Sequence, residues 1–212
     1  MSLGSYERML ILAPHTDDGE LGCGGTIAKA VESGTEVLYI AFSSAEKSLP
    51  KGLPKGTLKK ELMEATKILG IPKKNVICSD FEVRDFSTHR QKILDYIHRL
   101  GKDFSPDIVF SPSLNDLHQD HKTVAEEARR IFKRTTMLGY ELPWNNISFD
   151  TFAFSVLDRS HLRKKIEALK CYKSQKHKEY FKDNFIESLA ITRGVQVNAE
   201  YAEAFEVVRW LI

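Results

Sequence analysis

The sequence predicts an α/β fold, a doubly wound and mostly parallel sheet with helices on both faces. Three observations predict it. Short, wholly apolar runs end at turn residues, apolar positions between those runs recur at helical spacing, and the two patterns alternate over the first two thirds of the chain. A parallel strand covered on both faces reads as a continuous apolar run, and Met9–Ala13 (MLILA), ending at Pro14, is of that kind. Ile27, Ala28 and Val31 mark a first helix that stops at Gly34. Thr35–Phe42 (TEVLYIAF) is a second strand, and Leu58, Leu62, Ala65 and Leu69 form a helix ended by Gly70 and Pro72. Asn75–Cys78 begins a third strand, and Ile93, Ile97 and Leu100 mark the next helix. Pro106–Phe110 (PDIVF) is a fourth strand, followed by a helix carrying Val124, Ala125, Ala128, Ile131 and Phe132. In a Rossmann-like, doubly wound sheet, strand four lies beside strand one across the switch point.

Beyond Thr135 the pattern loosens. Gly139–Asn146 (GYELPWNN) reads as a loop, Leu162, Ile166 and Leu169 mark a last clear helix, and Phe205–Ile212 reads as a final strand. There is no repeat, low-complexity tract or long linker, so residues 1–212 are expected to form a single domain.

Bulk composition narrows the function. Charged residues are 28% and hydrophobic ones 42%, as in an ordinary globular protein, and the 212 residues suffice for a core without disulfides. Lys plus Arg is 31 against 29 for Asp plus Glu, and a net charge of +2 gives no footing for nucleic acid or an anionic membrane. Arg163-Lys164-Lys165 reads as a solvated helix face. Cys23, Cys78 and Cys171 are odd in number and widely spaced, which implies reduced, buried thiols rather than a disulfide framework. The first eight residues lack a basic segment followed by an apolar one, and no run approaches the ~18 apolar residues of a membrane span. These features point to the cytoplasm, with oligomers allowed.

Two clusters carry chemistry. Pro14-His15-Thr16-Asp17-Asp18-Gly19-Glu20 follows strand one, and His118-Gln119-Asp120-His121 follows strand four. A doubly wound sheet binds its ligands beyond the carboxyl ends of these strands. His15, Asp18 and His121 are a suitable set for a catalytic zinc ion, three protein ligands with one position left for water. Adjacent carboxylates repel unless a cation neutralises one, so Asp17 beside Asp18 is informative. With Asp18 on a metal, Asp17 is free to take a proton from water. His118 reaches the same site from the same turn, and Asp120 can orient a histidine. The plainer readings are that Asp17 and Asp18 complement a helix dipole and that His118 and His121 cap the following helix. Two His/Asp clusters, each after the right strand, are poorly explained by capping. Gly22-Cys23-Gly24-Gly25 fails the dinucleotide fingerprint, since Ile27 stands where its third glycine would fall; close helix–sheet packing explains the glycines better. His89, His98, His161 and His177 read as surface residues.

At these residues the chain resembles the PIG-L/LmbE family of zinc-dependent N-acetylsugar deacetylases. The family's His-Pro-Asp-Asp-Glu motif corresponds to His15–Glu20, and its His-Pro-Asp-His motif to His118–His121. Gly22–Thr26 (GCGGT) resembles its glycine-rich helix start, Ile166–Leu169 with Tyr172–Gln175 a late helix, and Tyr201–Phe205 its C-terminal signature. The resemblance implies zinc, or another divalent metal such as Fe2+, on His15, Asp18 and His121. It implies Asp17 as general base, a protonated His118 stabilising the charged intermediate, and Asp120 supporting a histidine. The implied reaction is removal of an acetyl group from an N-acetylated sugar such as N-acetylglucosamine, with Tyr140 and Trp144 as candidates to stack on the sugar. The alternatives are hydrolysis of another amide or an ester, and a non-catalytic sugar- or nucleotide-binding module. Thr16 and Gln119 replace two prolines, a change expected to alter loop stiffness more than chemistry. Leu58 and Lys59 stand where many members carry a substrate-binding arginine, which points away from membrane glycolipids and towards a soluble sugar conjugate.

Overall fold

The computed structural model describes residues 6–211. The expectation that the chain starts without a secretory signal falls largely on residues 1–5, outside the described residues. The parallel portion comprises β1 (Arg8–Ala13), α1 (Asp18–Glu32), β2 (Glu36–Ala41), α2 (Thr57–Ile68), β3 (Val76–Cys78), α3 (Arg90–Phe104), β4 (Ile108–Pro112), α4 (Gln119–Ile131) and β5 (Thr136–Tyr140). It is followed by β6 (Ala153–Leu157), α5 (Arg159–Lys170), α6 (Asp183–Val195) and β7 (Tyr201–Arg209). The seven strands form one sheet in the order β3-β2-β1-β4-β5-β7-β6. β1 to β5 run parallel, and β7 is antiparallel to both of its neighbours. β1 pairs with β4, Met9 opposite Ile108 and Ile11 opposite Phe110, so the two clusters leave the sheet side by side at the switch point.

The period-two geometry of a strand divides β1 between two cores. Met9, Ile11 and Ala13 face α1, α2 and α5, whereas Leu10 and Leu12 face α3 and α4 with Ile93, Ile97 and Val124. The continuous apolar reading of β1 thus has its physical cause in helices on both faces.

Several elements differ from the sequence reading. β5 was not anticipated, and its last two residues, Gly139 and Tyr140, fall in the expected loop; its residues TMLGY are buried, but Gly139 and the polar run after it mask the strand pattern. α6 was not anticipated, because its apolar residues are spread around the helix. α1 begins at Asp18, well before Thr26, and is broken at Cys23 (φ −147°, ψ 26°). Its second half has its own cap: the Glu203 carboxylate on β7 accepts from Gly25 N at 3.0 Å, Thr26 N at 2.7 Å and Thr26 Oγ1 at 2.6 Å. A Cβ on Gly22 would lie 2.3 Å from the Tyr140 ring, and one on Gly25 2.4 Å from Leu157, so this helix sits too close to the sheet for side chains there. Lys165 is buried and donates to Glu203 at 2.6 Å, which corrects the view of Arg163-Lys164-Lys165 as wholly solvated. His161 is buried as well, closing a capping box with Asp158 at the start of α5. Tyr172–Gln175 forms a turn and a short 3-10 segment rather than a helix. Of the three free thiols, Cys23 is buried and Cys78 and Cys171 only half-buried. Among the described residues no helix is long and apolar enough to cross a membrane.

Candidate active site

The turn after β1 is tied by its own side chain. The backbone N–H of His15 donates to Asp18 Oδ2 at 2.8 Å, fixing that carboxylate over the strand end. Asp17 is the N-cap residue of α1, yet its side chain makes no capping bond. Asp17 thus stands where a carboxylate complements the helix dipole, but it bonds no N–H there and its carboxylate faces the cleft. His118 does cap α4: its Nδ1 accepts from Asp120 N at 3.2 Å. One nitrogen from each of His15, His118 and His121 lies within 4.8 Å of the others.

Each histidine is oriented by what it bonds behind. His15 Nε2 stands 3.0 Å from Asp120 Oδ2, and His121 Nδ1 stands 2.8 Å from Asp116 Oδ2. Donation to these carboxylates leaves a lone pair on His15 Nδ1 and on His121 Nε2. Those two atoms are 3.2 Å apart, and Asp18 Oδ2 lies 3.2 Å from the first and 3.3 Å from the second. With both rings neutral, as a ligand set requires, three acceptors thus converge, and a cation bound there displaces the proton that Asp18 otherwise favours on these rings. Ligand atoms 2.0–2.1 Å from a tetrahedral ion stand roughly 3.3 Å from one another, so the donor set fits a zinc-like cation. In neutral His118, Nδ1 is engaged as acceptor, so Nε2 carries the proton and is the ring's available donor.

The electrostatics follow the same arrangement. Burial works against the Asp18 carboxylate, but His121 and His15 outweigh it and hold its pKa well below the ordinary range. Burial and then the charge of Asp18 push Asp17 upwards. Two adjacent carboxylates with oppositely displaced pKa values suit different roles, the lowered one as ligand and the raised one as base. Burial opposes charge on His15 and His121, yet neighbouring carboxylates, Asp18 first, raise both, His121 to about 10. Burial, with His121 and His15 next to it, lowers His118 to about 4. This lowering favours the neutral ring near pH 7, where the sequence reading expected the protonated form, and leaves Nε2–H as its donor.

The cleft holds about 190 Å³, with His15, Asp17, Asp18, His118 and His121 in its wall. Trp144 lines it, its ring stacked on Tyr180 at 3.9 Å between centroids. Tyr140 does not: it is fully buried under Gly22, its hydroxyl 3.0 Å from Leu12 O, so it cannot stack on a ligand. Glu141 is buried and paired with Arg193. Leu58 reaches the cleft while Lys59 is exposed elsewhere.

Sequence reading missed Asp116, whose Oδ1 accepts from His118 N at 2.7 Å while Oδ2 holds His121. Its place two residues before His118, the spacing of an Asx turn, was the available signal. Arg84, Gln175, Lys178 and Tyr180 also line the cleft, and no local pattern announces them. Gln119 does more than replace a proline, since its Nε2 donates to Arg84 O at 2.5 Å.

Fold and cluster together define an α/β protein with a histidine–aspartate centre of metal-binding type at the switch point of its sheet. The chain belongs to the PIG-L family, described as GlcNAc-PI de-N-acetylase, whose model matches residues 10–132. It is 26% identical over 182 residues to the uncharacterized deacetylase YaiS of Escherichia coli K12, covering 82% of this chain and 94% of that one. It is 27% identical over 124 residues to diacetylchitobiose deacetylase of Thermococcus kodakarensis, spanning 55% of this chain and 45% of the relative. In three dimensions it resembles N,N'-diacetylchitobiose deacetylase of Pyrococcus horikoshii, with a TM-score of 0.79 at 20% identity over 95% of this chain and 84% of that one. It also resembles GalB, the 4-carboxy-2-hydroxymuconate hydratase of Pseudomonas putida KT2440, with a TM-score of 0.77 at 22% identity over 97% and 98%.

Proposed function

We propose that the chain is a zinc-dependent hydrolase that removes the acetyl group from an N-acetylated sugar or sugar conjugate. Fold alone does not choose the reaction, since a hydratase shares it. Family membership supports the deacetylase, and one observation carries the mechanism: three converging acceptors on His15, Asp18 and His121, with the uncapped carboxylate of Asp17 beside them.

His15, Asp18 and His121 would hold the ion, with zinc preferred for a mixed nitrogen and oxygen set and Fe2+ as an alternative. When bound, the ion supplies Lewis acidity, acidifying a water and polarising the acetamide carbonyl. Asp17 accepts the proton from the attacking water. His118 donates Nε2–H to the carbonyl oxygen as negative charge builds there. Asp17 then returns the proton to the departing amine, so amide and water become acetate and free amine. Asp120 and Asp116 hold His15 and His121 in the tautomers that face the site. The Trp144–Tyr180 pair offers an aromatic wall for a sugar face. We take residues 1–212 as one catalytic unit. We place it in the cytoplasm, which its free thiols suit.

Acetate release from N-acetylglucosamine and its conjugates tests the reading. Release should stop on chelation and return with zinc. Release unaffected by chelation, or none from any N-acetylated sugar, would overturn it.

A further inference from the structure

Two cations at the rim of the cleft, Arg84 and Lys178, form no ion pair among the described residues. Arg84 follows β3 in the left-handed region (φ 69°), which strains a residue other than glycine and needs outside support. That support is present: Arg84 N donates to Asp120 Oδ2 at 2.6 Å, and Arg84 O accepts from Gln119 Nε2 at 2.5 Å. The carboxylate that orients His15 therefore also fixes where Arg84 leaves the backbone. Its exposed guanidinium bonds only Lys47 O and Ser48 Oγ, both at 3.3 Å. The acidic neighbours are engaged elsewhere, Glu82 with Lys47 and Asp85 with Thr88 and His89.

Lys178 lies in another part of the same wall, half-buried, 5.4 Å from the centroid of the Tyr180 ring. Among the described residues it forms no ion pair, and the adjacent Glu179 is taken by Lys182. The carboxylates in the cleft are Asp17 and Asp18; burial works against the Lys178 ammonium and the nearby Asp17 charge raises it, yet neither carboxylate is within ion-pair distance of Lys178. A bidentate guanidinium and an ammonium on different loops, neither held in an ion pair among the described residues, match a planar or tetrahedral oxyanion.

We propose that Arg84 and Lys178 form an anion subsite and that the substrate is an N-acetylated sugar bearing a carboxylate or phosphate elsewhere on the molecule. This rests on the deacetylase reading and narrows its substrate. Three probes test it: methyl N-acetylglucosaminide, the corresponding carboxymethyl glycoside and N-acetylglucosamine 6-phosphate. Acetate release and calorimetric binding are measured on the zinc-loaded protein and on Arg84→Gln, Lys178→Met and Arg84→Lys.

One of the anionic probes should be preferred over the neutral glycoside by roughly tenfold or more in both kcat/KM and Kd, the scale of one charge-assisted pair. Which one is preferred tells a glycosidic carboxylate from a phosphate on the ring. The preference should shrink in Arg84→Gln and in Lys178→Met, survive in part in Arg84→Lys, and weaken with added salt. Equal binding of neutral and anionic probes by the unmodified protein, or a preference untouched by both Arg84→Gln and Lys178→Met, would overturn the subsite. If no probe releases acetate while the anionic preference still depends on Arg84, the deacetylase reading falls and the subsite stands.

Discussion

The parallel part of the sheet, β1 to β4 with their connections, contributes every side chain of the histidine–aspartate centre: His15, Asp17, Asp18, Asp116, His118, Asp120 and His121. The last third of the chain, from β5 to β7, contributes none of them. It supplies carboxylates that satisfy donors of the parallel part, Glu203 the backbone of α1 and Glu206 the side chain of Ser113, whose Oγ donates to it at 2.6 Å below the second cluster. It also supplies part of the rim, with Trp144, Gln175, Lys178 and Tyr180. Chemistry and support are thus drawn from different stretches of chain, and substitutions in the two should fail in different ways.

The largest effect is expected in the parallel part. Asp17→Asn keeps size but removes the base, so turnover should fall by roughly 10²–10⁴-fold with zinc content unchanged. Near-normal turnover at full zinc occupancy would remove Asp17 from its role.

Glu203→Ala probes the supporting part. It strands the Lys165 ammonium in the core and frees the N–H groups of Gly25 and Thr26. Breaking a buried pair in this way should cost roughly 3–5 kcal/mol of stability in denaturant titrations. A loss under about 1 kcal/mol would mean that α1 does not depend on this cap.

Glu20 joins the two parts, since it meets Tyr39 of β2 and Tyr172 after α5. Burial raises its pKa from 4.5 to about 8, with Tyr39 and Tyr172 pulling it back only in part. The folded state keeps a proton that the unfolded chain releases. Its contribution is therefore fully present below pH 4.5 and is lost as pH rises through about 8. Glu20→Gln should flatten this decline and gain on the order of 4 kcal/mol relative to wild type at pH 8. Parallel pH–stability curves for the two proteins would refute a protonated Glu20.

The smallest expected effect sharpens the role of an orienting residue. Asp116→Ala leaves His121 in place but removes the acceptor that fixes its tautomer, and zinc affinity should drop roughly 10–100-fold. An unchanged affinity in competition with a chelator would leave Asp116 only its turn.

Legibility in the sequence follows the same division. β1 and β4 were readable because burial on both faces forces continuous apolar runs, and their order placed both clusters correctly. Asp17 and Asp18 stood out because adjacent carboxylates are costly without a cation. Tyr140 was misread as a ligand contact because a tyrosine between polar residues looks exposed, whereas the absence of a Cβ at Gly22 draws its ring inside. Lys165 looked solvated because its partner Glu203 is 38 residues away in sequence and reaches it only through the sheet. Arg84 and Lys178 enter the cleft through loop geometry, which carries no periodic signal.

The break at Cys23 gives α1 two independent beginnings, one at Asp18 and one capped from β7. The short segment bearing His15, Asp17 and Asp18 therefore behaves as a cassette set on a helix already anchored without it. The hydrogen bonds that cap the second half of α1, from Gly25 and Thr26 to Glu203, do not depend on those three side chains. For a protein engineer the replaceable positions in this turn are His15, Asp17 and Asp18, while Thr16, Gly19, Glu20 and Gly22 stay tied to Tyr39, Tyr172 and Tyr140 in the core.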